Sequence, residues 1–219
     1  MFLGHFGVGL AAKKLTPYTS LGTLLLAAQL LDLIWPVLVL RGIESVRVVA
    51  GHTAVTPLDF VSYPWSHSLA MAAVWALGFA GLYALVRRYP RGAIVVGALV
   101  VSHWVLDLIA HGPDLPLLPG MGPRLGLGLW HSVPATLAVE GLLLGLGLYL
   151  YSTNTEPVDR IGTWALVMFA LALMGIYLAS VFGPPPPDGT VVAYSALAMW
   201  LLVLWGYFID RHRVAIRQW

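Results

Sequence analysis

Three ionisable residues, His103, Asp107 and His111, stand at successive four-residue steps in the otherwise apolar stretch VSHWVLDLIAHGPD, residues 101–114. On a helix each four-residue step turns a side chain by only about 40°, so all three share one stripe. A charged group at membrane depth costs about 2.5–3.5 kcal/mol even on the gentler insertion scales, so three on one stripe call for compensation. A divalent metal supplies it, because neutral imidazoles and carboxylates are ordinary metal ligands. The competing reading of the stripe is a hydrogen-bonded polar seam between helices.

The elements that must position this stripe are membrane helices. The chain has 219 residues, of which 59% are hydrophobic and 10% charged, and its mean hydropathy is +0.82. Soluble domains carry about a quarter charged residues, so that class is excluded. Several apolar runs are about 20 residues long, enough to cross a bilayer as helices. There is no cysteine, which removes disulfides, thiolate metal sites and a cysteine nucleophile. The net charge of +2 reads as a topology signal rather than a nucleic-acid patch, and no nucleic-acid partner is expected.

The expected fold is an all-α integral membrane protein with six transmembrane helices plus a short N-terminal half-helix. The half-helix is residues 1–14, too short to span, with Gly4, Gly7 and Gly9 allowing close helix approach and Lys13 and Lys14 marking a water boundary. The spans are 19–40, 64–86, 92–111, 129–151, 161–182 and 190–209, with a polar connection over 41–63 and a Pro/Gly-rich loop over 113–128. The chain reads as a single membrane domain, 1–219. Residues 1–151 hold the metal-site helices, and 161–219 hold bracing helices and a basic tail.

With six spans, Lys13, Lys14, Arg87, Arg88, Arg91, Arg160, Arg211, Arg213 and Arg217 fall on one side, against Arg41, Arg47 and Arg124 on the other. Nine against three predicts that both termini are cytoplasmic. Depth then follows from a rise of about 1.5 Å per residue. His67 and His131 begin spans that descend from the outer side, His111 ends one arriving there, and Asp32 lies in the outer half of its span. Residues far apart in sequence thus converge on one level. His5, within the half-helix, and Glu140 are further candidates. Ser66, Ser68, Ser102 and Ser132 flank the histidines and could orient them. His52 reads as solvated, and His212 as a headgroup contact in the basic tail.

The order His5, Asp32, Trp-Ser-His67-Ser, Ser-His103-x3-Asp107-x3-His111 and Trp-His131-Ser resembles the bacterial membrane-bound metal-dependent hydrolases, also described as LexA-binding, inner-membrane-associated hydrolases. It is also similar to the zinc-dependent phospholipase C and S1/P1 nuclease superfamily. The resemblance covers roughly residues 1–150. It implies that His67, His103 and Asp107 hold one metal, that Asp107 bridges to a second near His5, and that His111 and His131 hold a third. Asp32 would act on the attacking water. The sequence departs from the soluble enzymes at Ala135, where they carry a carboxylate one turn after the last histidine. It also begins at Met1, four residues before His5, where they present a processed amine.

The expected function is a membrane-embedded metal-dependent hydrolase with two or more divalent metal ions, zinc in type, and Asp32 as the catalytic base. His5, His67, His103, Asp107, His111 and His131 are the expected metal ligands, with Glu140 as a possible addition. A lipid or lipid-linked phosphoester is the expected substrate, because a site at headgroup depth meets lipid first. The expected location is the bacterial inner membrane. The alternative is a metal-ion or proton-coupled transporter using Asp32, His103 and Glu140. The sequence displays no inverted repeat and no pair of broken midplane helices to favour it.

Overall fold

A computed structural model describes residues 1–120 and 122–216. The fold is all-α and membrane-like, 67% helical. Helix α1 spans Leu3–Ala11 and is followed by a single 3-10 turn at Ala12–Lys14. Helices α2 (Leu21–Ala28) and α3 (Leu30–Leu40) come next, then a hairpin of β1 (Ser45–Val48) and β2 (Leu58–Ser62). A single turn, α4 (Pro64–His67), leads into α5 (Leu69–Arg87) and α6 (Pro90–Ala110). The short strands β3 (Leu115–Pro116) and β4 (Arg124–Leu125) precede α7 (Val133–Asn154). Strand β5 (Thr155–Pro157), α8 (Arg160–Phe182), α9 (Gly189–Leu197), α10 (Met199–Arg211) and β6 (Arg213–Ala215) complete the order.

Among the described residues, five helices are long and apolar enough to cross a membrane, with α9 and α10 counted as one, and there are six if the pair α2 and α3 is one span. Capping explains where they begin. Ser68, Ser132, Asp159 and Asp188 each accept a first-turn backbone N–H of the helix that follows. Pro90 and Pro134 sit in first turns, where no backbone donor is needed. Their outward surfaces are apolar: Leu77, Leu82, Leu85, Trp164 and Leu171 are all exposed, as lipid contact requires.

Three expectations need correction. The span over 19–40 is not one helix, because α2 and α3 meet at 56° across Gln29. The 64–86 span breaks at Ser68, whose extended backbone (ψ 148°) leaves His67 on its own turn. Lys13 turns inward rather than to the surface. It is buried and donates to Thr19 O at 2.8 Å, with Asp210 Oδ1 at 3.4 Å, while Lys14 is exposed. The 41–63 connection also contains β1 and β2, paired antiparallel, with Arg47 on Asp59 at 2.7 Å.

Helix α1 is drawn against α7 by glycine on both sides. A Cβ on Gly7 would stand 2.4 Å from Leu143 O, and one on Gly147 would stand 2.2 Å from Gly7 O. Only bare backbone permits that approach. Leu3, Phe6 and Leu10 of α1 join Leu144, Phe169, Leu173 and Leu202 in one apolar cluster. Leu24, Leu31, Trp35, Ala72, Val96, Leu99 and Trp104 belong to a second cluster. Helix α10 braces α2 through Gly22 and Gly206, and its Asp210 accepts from the N–H of Leu21 at the start of α2. At one end of the bundle, β5 pairs with β6, and the side chain of Arg213 donates to Thr155 O and Gly162 O. Arg217, counted above among the basic residues, lies outside the described residues.

Candidate metal centre

Four elements deliver the site. His103 and Asp107 project from one stripe of α6, Asp32 from the first turn of α3, His67 from the end of α4 and His5 from α1. The break at Gln29 and the break at Ser68 aim Asp32 and His67 at α6. Asp32 Oδ1 stands 3.2 Å from His67 Nε2 and 3.7 Å from His103 Nε2. Asp107 Oδ2 stands 3.1 Å from His103 Nε2 and 3.8 Å from His67 Nε2. The other oxygen of Asp107 faces His5 Nε2 at 3.1 Å and accepts from the Met1 amino group at 2.5 Å. The rings of His5 and His103 stack at 3.7 Å.

These atoms form two overlapping groups able to hold a metal ion, His5–His103–Asp107 and Asp32–His67–His103. The test of fit is His103. Its Nδ1 lies 2.7 Å from the carbonyl oxygen of Ala28, which can only accept, so Nδ1 carries the proton. Nε2, buried, faces both carboxylates, so either it carries a second ring proton towards Asp107 Oδ2 or, on the neutral ring, it turns a lone pair towards them that a cation would offset. Metal–ligand bonds of about 2.0–2.2 Å imply edges of about 3.3–3.6 Å in a tetrahedron. Four of the six ligand–ligand edges of a site made of Asp32, His67, His103 and Asp107, at 3.1 to 3.8 Å, lie near that length.

Access is one-sided. The side chain of Asp32 is 26% exposed, whereas those of His67, His103 and Asp107 are at most 4% exposed. Asp32 is therefore the member of the cluster that reaches the protein surface.

The remaining candidates are placed elsewhere. His111 ends α6 and turns Nδ1 to Asp114 Oδ1 at 3.1 Å, with Trp130 tilted over its ring at 4.3 Å. Tyr63 donates to the same oxygen of Asp114 at 3.0 Å. Burial, reinforced by Asp114, pushes the Tyr63 hydroxyl above its ordinary pKa, so it stays a donor. His131 is exposed on a 3-10 turn before α7, and neither it nor His111 enters the two metal-competent groups. Glu140 is buried but faces α1: its Oε2 accepts from the backbone N–H of Phe2 at 2.8 Å, Leu3 at 2.6 Å and Gly4 at 3.4 Å. It caps the inserted half-helix, where a negative charge meets the positive end of the helix dipole. His52 is exposed, and His212 pairs with Asp159 at 2.8 Å.

Of the flanking serines only Ser66 touches a site histidine, at 2.7 Å from His67 Nδ1. Ser68 and Ser132 cap helices, and Ser102 donates back to Leu99 O. Sequence reasoning missed Glu44, which is buried and accepts from Ser66 Oγ at 2.6 Å and from the N–H groups of Trp65 and Ser66, both at 2.8 Å. It also missed the Ala28 carbonyl and Gln29, whose buried amide stands unpaired at the α2–α3 break. No family model matches this chain, and no curated protein or solved structure matches it.

Proposed function

We propose that this chain is a membrane-embedded metal-dependent hydrolase acting on a phosphoester of lipid origin. The observation that carries the reading is the buried Nε2 of His103 set between Asp32 and Asp107, with Asp32 alone of the three reaching the protein surface. His67, His103 and Asp107 would hold a zinc-type ion, with Asp32 Oδ1 beside it. Asp107 would offer its second oxygen to another ion beside His5, so two ions is the count the donors support. Such ions supply Lewis acidity towards a phosphoryl oxygen and lower the pKa of water to about 7. His103 and His67 keep their lone pairs on the site, while Asp32 orients the attacking water from its exposed edge and accepts its proton. The nine-to-three basic bias supports cytoplasmic termini and a site opening outward, in what would be a bacterial inner membrane.

One observation favours a second reading, a metal-ion or proton-coupled carrier. Broken helices at a charged site are a recurrent transporter device, and α2–α3 is bent by 56° beside Asp32. Against it, Glu140, the acidic group expected to extend a path, is committed to capping α1. Purified protein should retain zinc on elemental analysis. In sealed liposomes it should cleave a phosphoester lipid headgroup in the leaflet facing the site, and His103→Ala should abolish cleavage. Absence of bound transition metal after gentle purification refutes the metal-centre reading. Gradient-driven zinc uptake without cleavage of any ester would establish the carrier instead.

A further inference from the structure

His103 has its proton placed by a backbone carbonyl, but His67 is held by a hydroxyl, which can donate or accept. What decides the direction lies one bond further out. Ser66 Oγ sits between His67 Nδ1 at 2.7 Å and Glu44 Oε2 at 2.6 Å. The single hydroxyl proton goes to the carboxylate, leaving Ser66 Oγ as the acceptor for Nδ1–H. The other oxygen of Glu44 accepts from the backbone N–H groups of Trp65 and Ser66, so the carboxylate is anchored to the turn that carries His67. All three side chains are buried.

We infer that Glu44 sets the tautomer of His67 through the hydroxyl of Ser66, and so acts as a positioning residue for the metal centre. With the proton on Nδ1, the Nε2 of the neutral ring presents its lone pair towards Asp32 Oδ1 and Asp107 Oδ2, whereas a ring that also carries a proton on Nε2 donates it to Asp32 Oδ1 at 3.2 Å. The inference rests on the metal reading for its purpose, but the chain of hydrogen bonds exists without a metal. Glu44 touches no ligand atom and reaches the site only through Ser66. Carboxylate-to-histidine links of this kind typically change metal affinity about 10–100-fold when removed.

The substitution Glu44→Gln separates this role from mere capping. The glutamine carbonyl can still accept from Trp65 and Ser66 N–H, while its amide must donate to Ser66 Oγ. Ser66 then donates to His67 Nδ1, and the ring proton moves to Nε2, where it blocks the lone pair. In full-length, metal-free protein carrying ¹⁵N-labelled histidine, at a pH where the His67 ring is neutral, the Nδ1 and Nε2 shifts of His67 should exchange between wild type and Glu44→Gln. Zinc affinity should fall about 10–100-fold. Ser66→Ala, which removes the relay, should give mixed tautomers and a smaller loss. If Glu44→Gln keeps the wild-type tautomer and zinc affinity, Glu44 is only a helix cap and the inference is overturned. A tautomer exchange in a protein that takes up no zinc at all would uphold the relay and refute the metal reading.

Discussion

Asp107 is the residue on which the site turns, because each of its oxygens serves a different side. Oδ2 faces His103 and His67, and Oδ1 faces His5 and the Met1 amino group. Asp107→Ala would leave three imidazoles and an amine gathered in the interior without their anion. Such uncompensated burial is strongly destabilising, about 3–5 kcal/mol when one partner of a buried pair is removed. The expected outcome is loss of bound metal together with a lower thermal midpoint, read by elemental analysis and by unfolding in detergent. Asp32→Asn should behave differently, since Asp32 is partly exposed and His67, His103 and Asp107 remain. Hydrolysis should fall by about 10²–10⁴-fold, the usual contribution of a general base, with metal content retained. Should Asp32→Asn protein emerge metal-free, Asp32 is a ligand and the base lies elsewhere.

At the scale of elements, the half-helix α1 is the most exacting piece, because it reaches the site only by lying against α7. Glu140 accepts three of its terminal N–H groups, and Gly7 meets Gly147 backbone to backbone. Hydrogen bonds to a charged acceptor contribute about 1.5–3 kcal/mol, and buried donors left without one incur a desolvation penalty as well. Glu140→Ala should therefore lower stability by about 2–4 kcal/mol and reduce metal content, since His5 travels with α1. Glu140→Gln keeps an acceptor oxygen and should be milder in both. Equal effects of the two substitutions would mean that the charge of Glu140, not its capping, is what matters. Gly147→Val tests the other contact. The added side chain has no room beside Gly7, and overpacking of this kind typically costs about 1–3 kcal/mol. Wild-type unfolding behaviour in that variant would show that α1 is not seated on α7.

For the whole molecule, contacts sort the ends of the helices into two groups. Tyr18 meets Tyr89 at 5.8 Å, joining the 12–20 connection to the α5–α6 turn, while Val158 N–H donates to His212 O at 2.9 Å, joining the α7–α8 turn to the tail. At the opposite end, Gly189 packs on the backbone of Val46, and Leu117 O accepts from Ala70 N–H at 3.1 Å. The basic residues of the first group outnumber those of the second, which predicts orientation. Pro187 and Glu156 are exposed in connections at opposite ends. Cysteine at 187 should react with an impermeant thiol reagent applied to intact cells, and cysteine at 156 should not. The reverse pattern would place the metal centre on the cytoplasmic side.

The amino-acid sequence alone determined what local periodicity and transfer energy can encode. Long apolar runs specify membrane helices, because no other open-ended element satisfies its backbone in lipid. The four-residue spacing put His103 and Asp107 on one stripe of α6, since neighbouring turns of a helix always stack. Only the tertiary structure decided which other polar groups met them. The break at Gln29 has no proline or glycine to announce it, and Pro36, which might have, lies inside α3. Glu44, in a polar connection, closes on Ser66 across 22 residues, and Glu140, in an apolar span, closes on Leu3 across 137. Lys13 looked like a surface marker until Asp210, 197 residues away, was folded beside it. Such pairings depend on the packing of whole helices, so no stretch of sequence holds them, and the candidate metal centre became legible only where four elements converged.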